Sequence, residues 1–183
     1  MKIILKSELT TANWAHGTTT QLFIFPSSAT YKDLNFDYRI STATVESEKT
    51  KFSNLKGVKR TLMVLEGTLE LEHIGHHSTI LNPLETDTFM GDWETNSGGK
   101  VTDFNVMIRD ENLNAQVKPI LFGKKNTLSL ETEKIGFVFL LKGKMKLNTD
   151  ADLEAGDSFQ FEAMDEINLL ATTNCTLIHV VIK

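Results

Sequence analysis

Two alternating segments and one isolated cation carry the residue types that could do chemistry. In "DFNVM", Asp103, Asn105 and Met107 fall on one face of an extended strand, and Phe104 and Val106 on the other. An acid, an amide and a thioether do not resemble a plain core face. Asn105 can donate to a ligand oxygen and accept from a ligand N–H. Asp103 can position an arginine or, when protonated, act as an acid; the competing reading, favoured for Asp103, is an internal network that fixes strand order. In "FDYRISTATVES", Arg39 and Ser41 share a face with the small Ala43 and with Val45, while Phe36, Tyr38, Ile40, Thr42 and Thr44 point the other way. That face is either a cavity lining or a solvated sheet surface. Arg60 opens the run "RTLMVLEG". Its guanidinium presents five donors in a planar fork suited to a carboxylate.

The histidines offer less. His76 and His77 are adjacent, so on one strand they would face opposite ways, and after Gly75 they read as exposed loop residues. His73 has no ligand partner at useful spacing, and His179 falls in a C-terminal strand. No metal and no cofactor is expected on this reading. His16, near Trp14 and Gly17, is the one histidine to consider as an acid or base. Trp14 and Thr20 are placed over a barrel mouth, Trp14 chiefly as a packing anchor. The sequence contains no glycine-rich phosphate loop, serine elbow or Cys/His cluster, and Gly98-Gly99 reads as a turn.

Positioning these residues falls to strands. The chain has 183 residues, 40% hydrophobic and 23% charged, with a net charge of −5. Short runs rich in Val, Ile, Phe and Thr recur between turns at Gly, Asn, Asp and Pro, which predicts an all-β sandwich or barrel with little helix. The acidic balance argues against a nucleic-acid partner, and no basic run suggests a membrane surface. A single cysteine, Cys175, fits a small buried hydrophobe in a reducing compartment. The N-terminus lacks a signal-like apolar core, so a cytoplasmic location is expected.

The pattern occurs twice. "VLEGTLEL" around Gly67 matches "LLKGKMKL" around Gly143, and "ETDTF" downstream of the first resembles "AGDSF" downstream of the second. Two strand–turn–strand blocks in the same order predict a duplicated β-domain, residues 1–113 and 114–183, divided in "RDENLNAQVK". The second half is short for a self-sufficient core. N-terminal strands such as "KIILKS" or "QLFIF" are therefore expected to complete its sheets.

The hairpin "VLEG" and its following turn resemble the cupin superfamily of small β-barrels. Cupins usually bind metal through a His-Xaa-His pair, a Glu seven residues before the hairpin glycine, and a later His. Here Arg60 and Gly136 occupy the two Glu positions, and "FSNLKGV" contains no histidine. More specifically, the chain resembles the HutD/Ves family of bicupins. The matching positions are Trp14, Gly17 and Thr20; Arg39, Ser41 and Ala43; Phe52, Ser53, Gly57 and Arg60; and Asp103, Phe104, Asn105, Met107 and Arg109. The likeness covers most of the first 110 residues and thins afterwards; "HGTTT" stands where the family often has a glycine-rich turn.

The resemblance implies a double β-barrel, a bicupin, without an established catalytic activity. One branch of the family accompanies histidine utilisation and is associated with a small acidic metabolite; another is linked to cold or stress responses. A cupin-like register points Arg60 into the first barrel, where it must meet an internal acid (Asp103, Asp87 or Glu85), ordered water or an anionic ligand. The leading expectation is a metal-independent protein that binds a small polar or anionic carboxylate through Arg60, Asn105, Arg39, Ser41 and Asp103. The second barrel is assigned packing or formation of a homodimer. Two readings compete: a metal-free isomerase or epimerase using His16 with Asp103, and a ligand-free oligomeric scaffold.

Overall fold

The computed structural model describes residues 1–148 and 150–183, and almost all regular structure in it is strand. Strand β1 is Lys2–Ile4. The compact unit Thr10–Leu113 contains β2 (Thr11–Trp14), β3 (Gly17–Phe25), β4 (Tyr38–Val45), β5 (Lys49–Lys51), β6 (Lys59–Glu66), β7 (Leu69–His73), β8 (Ser78–Leu81), β9 (Thr86–Met90), β10 (Thr95–Gly98) and β11 (Val101–Ile108). A second unit joins Met1–Leu9 to Asn114–Lys183. It contains β1 with β12 (Ala115–Phe122), β13 (Thr127–Leu130), β14 (Ile135–Lys142), β15 (Lys144–Leu147), β16 (Ala151–Glu154), β17 (Ser158–Glu162), β18 (Ile167–Ala171) and β19 (Cys175–Ile182). The chain is all-β, with one cupin-type barrel in each unit.

Both barrels follow one plan. In the first, a six-stranded sheet of order β2-β3-β4-β11-β6-β9 is accompanied by a four-stranded sheet of order β5-β10-β7-β8. In the second, the orders are β1-β17-β14-β19-β12 and β13-β18-β15-β16. Strand β1 pairs with β17 in the second unit, whereas Gln21–Phe25 lies in β3 of the first. Arg60 pairs with Phe89, and Gly136 with Phe161. The turns match too: Val64 N donates to Glu85 O as Leu140 N does to Asp157 O, and Asn82 N and Glu154 N each meet the following acid, Glu85 and Asp157. The counterpart of Asp157 is therefore Glu85. The similarity of "ETDTF" to "AGDSF" suggested Asp87 instead, and backbone register overrides it.

The hairpin glycines explain why the repeat is visible at all. Gly67 and Gly143 hold φ of +87° and +99°, and a Cβ on either would collide with a backbone carbonyl, of Lys100 or Asn174. Only glycine accepts both conditions cheaply. The inner faces then diverge. The second barrel fills with Val138, Leu140, Met145, Leu147, Phe159, Phe161, Ile167, Leu169 and Leu177, with buried Cys175 beside them. The first packs Leu62, Val64, Leu69, Leu71, Leu81 and Phe89 toward one end and leaves polar residues at the other.

Candidate functional site

The central strands of the six-stranded sheet build the polar end. Cross-strand register sets Arg39 beside Met107 and Met107 beside Arg60, and places Ser41 beside Asn105 and Ala43 beside Asp103. Because side chains alternate across a strand, these residues share the inner face. All five residues expected from the sequence, Arg39, Ser41, Arg60, Asp103 and Asn105, line one chamber of about 570 Å³. Each is buried, Arg60 to 7% and Asp103 to 5% exposure.

The two arginines are held differently. Arg39 donates from Nε to Gln21 Oε1 at 2.9 Å and from a terminal nitrogen to Ser41 Oγ at 3.0 Å, beneath the Tyr31 ring at 4.5 Å. Arg60 lies over Phe52 at 4.7 Å and Phe89 at 5.2 Å, and its buried Nε has no hydrogen-bond acceptor among the described residues. The internal acids considered for it are otherwise engaged or unbonded. Asp87 binds two histidines, Glu85 accepts from Asn82, and Asp103 Oδ1, like Asn105 Oδ1, is buried with no hydrogen-bond partner among the described residues.

Electrostatics follow from this packing. Burial pushes both guanidinium groups down from their ordinary value; the negative charge of Asp103 opposes that at Arg60, and Arg39 reinforces it. Burial pushes Asp103 up to about 7, with Arg60 holding it back. The chamber thus carries net positive charge when Asp103 is protonated, with unmet donors and acceptors side by side. An unpaired buried charge costs several kcal/mol, on the order of the Coulomb energy a bound counter-ion would return.

Aromatic residues close the arrangement. Trp14 lines the chamber, as do Tyr31 and Phe52; Thr19 and Gln21, not Thr20, provide the lining from β3. Gln21 and Tyr31 went unnoticed in the sequence, because stacking over an arginine leaves no periodic signal. His16 borders a separate groove with Lys49, Glu70 and Asn96, so His16 and Asp103 do not share a cavity and do not form an acid–base pair.

Among the other histidines, His76 and His77 are exposed residues of the turn between β7 and β8, as expected, whereas His73 departs from expectation. His73 is 2% exposed, and its Nε2 lies 2.9 Å from Asp87 Oδ2. His77 folds back beside it, with Nε2 at 3.0 Å from the same oxygen. His76 stacks on Trp93, ring centroids 3.7 Å apart. Burial pushes the His73 imidazole down, against the pull of Asp87. The turn between β7 and β8 makes neighbours of residues that looked unrelated on a single strand.

This architecture has relatives. A family model described as HutD matches residues 6–179. The chain belongs to the HutD family. Among solved structures, this HutD-family chain is similar to a conserved protein of unknown function from Pseudomonas aeruginosa PAO1, at 21% identity and a TM-score of 0.83 over 100% of this chain and 98% of that one. It is similar to HutD from Pseudomonas fluorescens SBW25, described in a formate condition, at 21% identity and 0.76 over 100% and 98%. It also resembles the bacterial pirin YhhW in complex with nickel(II) from Escherichia coli, at 13% and 0.76 over 98% and 97%. At these identities the likeness shows the fold alone. No curated protein matches the chain. No helix among the described residues is long and apolar enough to cross a membrane.

Proposed function

We propose that this HutD-type cupin binds a small carboxylate metabolite in its first barrel. The observation that carries the reading is the buried Arg60 Nε, without an acceptor among the described residues, in a chamber of about 570 Å³. A carboxylate supplies the missing acceptor and counter-charge together. Arg39, across Met107 on the same face, is spaced for a second acidic group, because two strand spacings separate the backbones by about 10 Å. Ser41 and Gln21 hold Arg39 in orientation. A protonated Asp103 donates to a ligand oxygen, and Asn105 Oδ1 accepts from a ligand N–H. A dicarboxylate bearing an amide satisfies every one of these groups. Formylated glutamate is such a molecule, and it also agrees with a role in histidine utilisation.

The test is a thermal-shift and calorimetry panel of formylated glutamate, urocanate, glutamate and formate. A ligand that binds only the folded protein raises the melting temperature as its concentration passes its Kd. A carboxylate that stabilises wild type and fails to stabilise Arg60→Ala supports the reading. No stabilisation by any carboxylate, or a full shift in Arg60→Ala, contradicts it. The reading assigns binding without catalysis.

A further inference from the structure

We propose that His73, His77 and Asp87 form a binding site for a divalent transition-metal ion of the zinc class. One side-chain atom from each of the three lies within 4.8 Å of the others. His73 Nε2 and His77 Nε2 converge on Asp87 Oδ2 at 2.9 and 3.0 Å. Around a tetrahedral ion with bonds of about 2.0–2.2 Å, ligand atoms stand about 3.3 Å apart, so a small opening of the cluster admits the metal. His77 can provide that opening, since its side chain is 40% exposed and sits at the end of a turn. The same exposure supplies an entry path and a fourth coordination position for water.

The surroundings are built for ligation. His73 Nδ1 lies 2.8 Å from Thr95 Oγ1, whose hydroxyl is also within reach of the Trp93 carbonyl at 3.2 Å. In the tautomer whose Nδ1–H donates to Thr95, the Nε2 lone pair faces Asp87 and is open to a cation; in the other, Nε2–H donates to the carboxylate and metal binding releases that proton. A histidine ligand oriented through its other ring nitrogen is the usual support of a metal site. Asp87 is oriented in turn, its Oδ1 accepting from Thr88 N at 2.8 Å. Phe89 and Trp93 form an apolar wall against His73. Two imidazoles and one carboxylate suit zinc and its neighbours better than magnesium or calcium. This site lies outside the chamber lining and does not depend on the carboxylate reading.

Titration of the full-length protein with Co(II) tests it, read by visible ligand-field bands. Wild type should develop the intense bands of a tetrahedral or five-coordinate site at one equivalent and lose them when Zn(II) is added. His77→Ala, an exposed position that should not disturb folding, should abolish them. His77→Cys should restore binding and add a sulfur-to-cobalt charge-transfer band. Thr95→Val, which removes only the orienting hydroxyl, should weaken binding by about 10-fold to 100-fold. His76→Ala should leave the spectrum unchanged, as should Arg60→Ala. Absence of bands in wild type, or bands undiminished in His77→Ala, overturns the proposal.

Discussion

Arg60 and Gly136 occupy the same place in the two barrels, each on the strand that leads into its hairpin glycine and each paired with a phenylalanine, Phe89 or Phe161. In the first barrel the phenylalanine forms one wall and the guanidinium beside it has an unbonded Nε. In the second, the Phe161 ring occupies the space a Cβ on Gly136 would need. Across the sheet, Asp103 corresponds to Leu177 and Ala43 to Ile120 by the same register. One backbone plan thus yields a chamber where polar side chains keep the ring aside and a filled core where glycine lets it in. A cavity here is a matter of which residues face inward, not of barrel geometry.

The comparison can be broken most severely at Gly136. Gly136→Arg should force the ring out and bury a charge without a partner, lowering stability by more than about 4 kcal/mol, seen as loss of soluble protein or of the cooperative melt. Phe161→Ala should cost about 3–5 kcal/mol in denaturant unfolding, because it leaves a cavity in a packed barrel.

A pH series sharpens the contrast. Asp103 rises from an ordinary value of 3.8 to about 7 on folding, so between those values the folded state retains a proton that the unfolded state has released. The contribution of Asp103 to stability should therefore be greatest below about pH 4, fall toward pH 7 by an amount on the order of a few kcal/mol, and level off above, opposite in sign to that of His73, whose imidazole burial pushes down. Asp103→Asn should flatten that decline in urea melts recorded across the range. A slope unchanged by the substitution would show that Asp103 does not carry it.

The smallest change is the most instructive. Arg60→Met replaces an unpaired buried charge with an apolar chain of similar length, and should raise unliganded stability by about 1–3 kcal/mol while removing any carboxylate-dependent shift. The first barrel would then behave like the second. A loss of stability would mean that Arg60 is tied into the fold.

Much of this was legible beforehand. Period-two alternation placed Arg39, Ser41, Asp103 and Asn105 on common faces, and the glycine-marked hairpin set the register of Arg60. Both signals survive because each depends on neighbours along one strand. The histidine cluster did not show, since β7, the turn after it and β9 meet only once the hairpin closes. Asp87 was aligned with Asp157 by local similarity, yet the backbone pairs Glu85 with that position. Gln21 and Tyr31 support Arg39 from distant segments, and no spacing rule links them to it.

The central claim concerns one N–H group, and the protein has only three arginines, Arg39, Arg60 and Arg109. The Nε–H region of a nitrogen-15 NMR spectrum should therefore hold three side-chain signals, assignable by single substitutions. Adding formylated glutamate should move the Arg60 signal strongly downfield as its Nε–H gains a carboxylate acceptor, move Arg39 less, and leave Arg109 in place. An Arg60 signal that stays fixed while the ligand binds would contradict the account.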